Sequence, residues 1–146
     1  ATSIAEKADL IGVLAVEMFL TKTGEILVNE VAPRPHNSGH QTIEGNITSQ
    51  YEQHLRSILN LPLGNTDIIM PSVMLNLLGD KNSSGKAAYP GMTEVLGMKG
   101  VYPHIYGKAI SKPFRKMGHI TVLNESLENA KEIALRVKEI LKVIGK

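Results

Sequence analysis

The 146-residue chain carries 16 Lys and Arg against 14 Asp and Glu, for a formal charge of +2, and only 4% of it is aromatic. So small a basic excess with so few stacking platforms argues against a nucleic-acid partner. The chain has no cysteine and no apolar run long enough to span a bilayer, so a disulfide scaffold and a membrane partner are excluded and a cytoplasmic location is expected. At 42% hydrophobic content it can bury a core, as one domain or two small ones.

Ala1 to Leu10 reads as a helix in progress, with Ile4, Ala8 and Ile11 on one side, so the chain is expected to begin inside a domain. Two apolar runs follow, Val13 to Leu20 and Ile26 to Val31, around a polar connection ending in Gly24. That is the pattern of a β-hairpin. A two-residue turn at Thr23 and Gly24 pairs Lys22 with Glu25, Phe19 with Val28, Glu17 with Glu30 and Ala15 with Ala32. Leu14, Val16, Met18, Leu20, Leu27 and Val31 then share the opposite face, with only Asn29 intruding, and that face is expected to pack on a core. Like charges directly opposite on a hairpin repel, and a hard divalent ion with oxygen ligands relieves the repulsion. The alternative is a solvated hairpin in which a register one residue off separates the acids.

Pro33-Arg34-Pro35-His36-Asn37-Ser38-Gly39-His40 follows the strand that carries Glu30, and its prolines stiffen the chain so that Arg34 and His36 are held near the acids. For Arg34 a charge-balancing ion pair is the simpler alternative. His36 and His40 are spaced like helical metal ligands, but Pro35 and Gly39 oppose a helix there and exclude a zinc site. Ser49-Gln50-Tyr51-Glu52 fits a capping box, and Tyr51, Leu55, Ile58 and Leu59 form one apolar stripe of a helix that ends at Asn60-Leu61-Pro62. His54, on the flank of that stripe, reads as structural or solvated.

Leu63 to Asp67 reads as a linker, after which short strands and turns set in. Ser72 to Leu78 is a strand, Gly79 to Gly85 a loop, and Thr93 to Met98 a short helix after the Pro90-Gly91 turn. Val101 to Lys108 is a strand that Pro103 places at an edge. Gly118 to Leu123 is another strand. A final helix from Ser126 to Ile144 repeats Leu127, Ala130, Ala134, Val137 and Leu141 on one face. Between the last two strands Lys108, Lys112, Arg115 and Lys116 concentrate positive charge. A solvated basic surface is one reading. Gly107 before Lys108 and Pro113 before Arg115 favour a phosphate grip, with Arg as the bidentate fork and Lys as the point charge. The fold class expected is α+β, an antiparallel hairpin with helices over residues 1–64 and a small mixed β/α domain over residues 65–146.

VEMF, NEVAPRPHNSGH and TSQYEQHLR resemble the distal part of an ATP-grasp ligase, and YGK with RKMGH resembles the carboxyaminoimidazole ribonucleotide synthases of purine biosynthesis. The resemblance spans nearly the whole chain. It implies an enzyme that uses ATP and bicarbonate to carboxylate aminoimidazole ribonucleotide through carboxyphosphate, and it implies a homodimer. On that resemblance Glu17 and Glu30 hold Mg²⁺, with Mn²⁺ as the alternative ion, at the ATP phosphates, and Asn29 lies beside them at the nucleotide. Arg34 and His36 orient the ribonucleotide or the carboxyphosphate, and Lys108 and Arg115 hold the 5′-phosphate. Where the family often has glycine before the RKMGH arginine, this chain has Phe114.

The thirteen glycines nowhere form a G-x-G-x-x-G phosphate loop, so the chain is expected to be a C-terminal portion whose partner is the preceding part of the same enzyme, and to hydrolyse no ATP alone. One rival is the formate-dependent glycinamide ribonucleotide transformylase, which tends to have Asp-Thr where this chain has Asn37-Ser38. The other is a non-catalytic interaction domain on the same fold, against which the retained acids and basic cluster weigh.

Overall fold

A computed structural model describes residues 1–146 and divides them into two units, Ala1–Asp67 and Ile68–Lys146. The first contains α1 (Thr2–Lys7), β1 (Ala15–Leu20), β2 (Ile26–Ala32), a 3₁₀ turn at Asn37–Gly39, α2 (Thr42–Gly45) and α3 (Gln50–Ile58). β1 and β2 form the expected antiparallel hairpin, and Glu17 faces Glu30 as Ala15 faces Ala32. The turn differs from expectation. Thr21 N donates to Glu25 O at 2.8 Å and Gly24 N to Thr21 O at 3.1 Å, so the loop is the three residues Lys22, Thr23 and Gly24. Gly24 takes φ +86, the left-handed residue that closes such a loop.

The longer loop shifts the register by one, and Phe19 pairs with Leu27 rather than Val28. A β-bulge between Glu17 and Met18 leaves Asn29 without a partner and restores the register at Glu30. Pairing parity therefore moves Leu27 to the acids' side and sends Ile26 and Val28 to the other, while the bulge lets Asn29 Nδ2 donate to Glu17 Oε2 at 3.2 Å. The expected burial of the apolar face does not occur within this unit: Met18, Leu20, Ile26, Val28 and Val31 are all exposed. So is the α3 stripe of Tyr51, Leu55, Ile58 and Leu59. Periodicity reports that a face is apolar, not which segment covers it.

Half of the capping box forms. Ser49 Oγ accepts from Glu52 N at 3.2 Å, but the Glu52 carboxylate turns forward to Arg56 at 2.6 Å instead of back to the cap. α3 closes as a Schellman motif, with Leu61 N on Arg56 O, Asn60 N on Ser57 O and Asn60 in the left-handed region at φ +54. The segment after it is stitched to its own unit: Gln53 exchanges two hydrogen bonds with the Gly64 backbone, and Ile47 N donates to Asp67 O. His54 is structural, its Nδ1 accepting from Val13 N at 3.3 Å.

The second unit contains β3 (Ser72–Leu78), β4 (Gly85–Ala88), α4 (Met92–Leu96), β5 (Val101–Ile105), β6 (Ile110–Ser111), β7 (Lys116–Leu123), α5 (Leu127–Ile140) and β8 (Ile144–Gly145). One antiparallel sheet runs β3-β7-β5, with β5 on the edge where Pro103 is tolerated, and a smaller one runs β6-β4-β8. The last helix is shorter than expected: Ser126 caps it, and the chain leaves it at Leu141 to form β8. Its buried face of Ala130, Ala134 and Val137 joins Leu77, Val95, Val101, Met117, Ile120 and Val122 in one core, whereas Leu127, expected on that face, is exposed. No helix is long and apolar enough to cross a membrane.

Candidate functional site

In the first unit the hairpin sets the acids, and the proline-stiffened loop returns a histidine to them. His36 Nε2 lies 3.2 Å from Glu17 Oε1 and 3.4 Å from Glu30 Oε1. On the other edge of the ring, Nδ1 lies 2.8 Å from Ser38 Oγ and accepts from Ser38 N at 3.4 Å. With Nδ1 serving as acceptor, Nε2 carries the proton that the carboxylates accept. His36 is 8% exposed, while the side chains of Glu17 and Glu30 are 40% and 56% exposed, so the histidine is fixed and the acids remain open to an incoming group.

The ligand atoms of Glu17, Glu30 and His36 all lie within 4.8 Å of one another. Two hard carboxylate oxygens and the Asn29 amide beside them fit Mg²⁺ or Mn²⁺, with the His36 N–H holding the carboxylates rather than the ion. Arg34 stands differently. Its Nη1 donates to Pro35 O at 3.0 Å, it forms no ion pair with either acid, and it lines a cleft of about 280 Å³ with Val13, Thr42, Gln50 and Gln53. The loop thus brings His36 to the carboxylates and turns Arg34 elsewhere.

Sequence reasoning passed over Gln50 except as a member of the capping box. Its Oε1 accepts from His36 N, and its Nε2 donates to His36 O and lies 2.9 Å from His40 Nδ1. Next to it, Tyr51 OH lies 2.7 Å from His40 Nδ1, and burial pushes the Tyr51 phenol above its ordinary pKa, partly countered by the Gln50 side chain.

In the second unit Lys108 and Arg115 belong to the connection between β5 and β7, and both cations rest on backbone carbonyls. Lys108 Nζ donates to Lys116 O at 2.6 Å and lies 5.7 Å from the Tyr106 ring centre, and Arg115 Nη1 donates to Ile110 O at 2.9 Å. Tyr106 OH in turn lies 3.0 Å from Nδ1 of buried His119, which stacks on His104 at 4.4 Å. Phe114, immediately before Arg115, is held at φ +58 and is 68% exposed.

Residues 1–51 match the ATP-grasp domain family, and residues 72–133 match the Phosphoribosylaminoimidazole carboxylase C-terminal domain family. The chain is 50% identical over 125 residues to the N5-carboxyaminoimidazole ribonucleotide synthase of Bacillus subtilis, across 86% of this chain and 31% of that relative. The crystal structure of N5-carboxyaminoimidazole ribonucleotide synthetase from Thermotoga maritima superposes over 99% of this chain and 40% of its own, with a TM-score of 0.94 and 55% identity. The chain belongs to the N5-carboxyaminoimidazole ribonucleotide synthase family. A further synthase of this family, from Aspergillus clavatus and crystallised with ADP and 5-aminoimidazole ribonucleotide, is 39% identical with a TM-score of 0.77 over 88% of this chain and 35% of that one. The chain therefore spans about a third of the length of the synthases it matches.

Proposed function

We propose that this chain is the distal, metal- and ribonucleotide-handling portion of an ATP-dependent ligase that carboxylates aminoimidazole ribonucleotide with bicarbonate. The observation that carries the reading is the convergence of ligand atoms of Glu17, Glu30 and His36 within 4.8 Å, on a hairpin and following loop that match the ATP-grasp family. In this reading Glu17 and Glu30 hold Mg²⁺ or Mn²⁺ at the phosphates of ATP, and Asn29 fixes the Glu17 carboxylate and lies beside the nucleotide. The ion, when bound, offsets the negative charge of the phosphates during transfer.

The protein side chains supply the rest by position and charge. His36 presents an N–H from a ring that neighbouring groups keep from turning, and Arg34 is free to swing from the Pro35 carbonyl to an anion such as carboxyphosphate or the ribonucleotide. Lys108 and Arg115 exchange their carbonyl partners for the 5′-phosphate, gaining charge-assisted bonds for neutral ones. Homodimeric assembly and a cytoplasmic location complete the proposal. The test is phosphate release by the full-length enzyme containing this chain: turnover dependent on both bicarbonate and aminoimidazole ribonucleotide is expected. Turnover supported by glycinamide ribonucleotide and formate instead would reject it.

A further inference from the structure

We propose that Gln50, which lies outside the acidic face, is the positioning residue that aims His36 at Glu17 and Glu30. The inference rests on the reading of Glu17 and Glu30 as a metal site. Gln50 is the first residue of α3, and its amide meets the backbone of His36 twice, Oε1 accepting from N and Nε2 donating to O, both at 2.8 Å. Two antiparallel bonds to one residue act as a β-bridge partner does: they fix its height and its rotation about the chain.

The amide is itself anchored. Gln50 N donates to Thr42 Oγ1 at 2.9 Å, and Thr42 Oγ1 donates to Gly39 O at 2.6 Å, so loop, α2 and α3 are tied at one point. A Cβ at Gly39 would lie 2.5 Å from Gln50 Oε1, so glycine is required there to let the amide reach across the loop. With the His36 backbone held by Gln50 and Nδ1 held by Ser38, the ring has one direction left for Nε2, toward the two carboxylates. Hydrogen-bond partners of metal-holding carboxylates commonly tune a site nearly as strongly as the ligands do, and Gln50 reaches the carboxylates through the His36 N–H.

Mn²⁺ is the probe, added to the full-length enzyme containing this chain and read by selective broadening in NMR spectra, with imidazole ¹⁵N resonances recorded alongside. In the parent, Glu17, Glu30 and His36 are expected to broaden first. Gln50→Leu should raise the Mn²⁺ concentration for half-broadening on the order of tenfold and shift both ring nitrogens of His36, while amides of the second unit stay in place. Gly39→Ala should reproduce this, because it displaces the amide. In a Gln50→Ala background Gly39→Ala should add nothing further, since the shortened side chain makes room for the methyl group.

Gln50→Glu keeps the acceptor but sets a second oxygen against His36 O, so it should also shift both His36 ring nitrogens, and it serves if the leucine variant loosens α3. Folded variants with parental His36 resonances and a parental Mn²⁺ midpoint would overturn the proposal, even if their melting temperature falls. Absence of selective broadening in the parent would instead reject the metal reading, and the His36 resonances would then decide the role of Gln50 by themselves.

Discussion

Glu17 and Glu30 face each other across the hairpin with roughly half of each side chain exposed, and the His36 N–H stands between them. Solvent screening and that N–H together reduce their repulsion, so the pair costs the fold little. Glu30→Gln should therefore change stability by no more than about 1 kcal/mol, while in the full-length enzyme turnover falls by orders of magnitude together with metal affinity. Parental turnover with normal Mg²⁺–ATP binding would remove the metal assignment. Alternation put the two acids on one face of the hairpin, and their direct pairing came out as expected because loop and bulge offset each other. Gln50 was not, because its role arises from an amide meeting a loop fourteen residues earlier in the chain, which leaves no periodic trace.

At the scale of elements, the hairpin shows how a correct pairing can be reached through compensating details. The loop is one residue longer than the turn read from Thr23-Gly24, and the bulge at Asn29 takes up that residue before Glu30 is reached. Nothing in the alternation marks a bulge. β4, β6 and β8 were also illegible, being two to four residues long and too short for a period to show. The β5–β7 connection offers a sharper test. Phe114 sits in the left-handed region, which costs a residue with a Cβ roughly 1–2 kcal/mol, and its exposed ring gives little burial in return. Phe114→Gly should stabilise the second unit by roughly 0.5–1 kcal/mol after the extra entropy of unfolded glycine is counted, measured by denaturant unfolding. Phe114→Ala keeps the strain and should not stabilise. Equal gains from both would assign the effect to loss of the exposed ring.

Across the whole molecule the apolar core is unevenly shared. Ala32 is the one buried hydrophobic residue of the first unit, whereas the second buries a continuous cluster around β7 and α5. Native-state hydrogen exchange should accordingly show the strongest protection at Met117 to Val122 and Ala130 to Val137, with the β1–β2 ladder opening at lower free energy. Equal protection in both would contradict this division. The apolar faces of β1, β2 and α3 stay exposed within the first unit because amphipathic pattern alone does not say where the covering surface lies.

On the proposed function the two clusters serve different substrates, the acids at ATP and the basic connection at the ribonucleotide phosphate. Steady-state constants of the full-length enzyme with Arg115→Ala test it most directly. Loss of one charge-assisted bond, about 1.5–3 kcal/mol, should raise KM for aminoimidazole ribonucleotide roughly ten- to hundredfold while KM for ATP barely moves. Lys108→Ala should do the same, and the double variant should lose less than the sum of the singles because both cations serve one phosphate. A shift in the ATP constant with the ribonucleotide constant unchanged, or no change in either, would contradict the account.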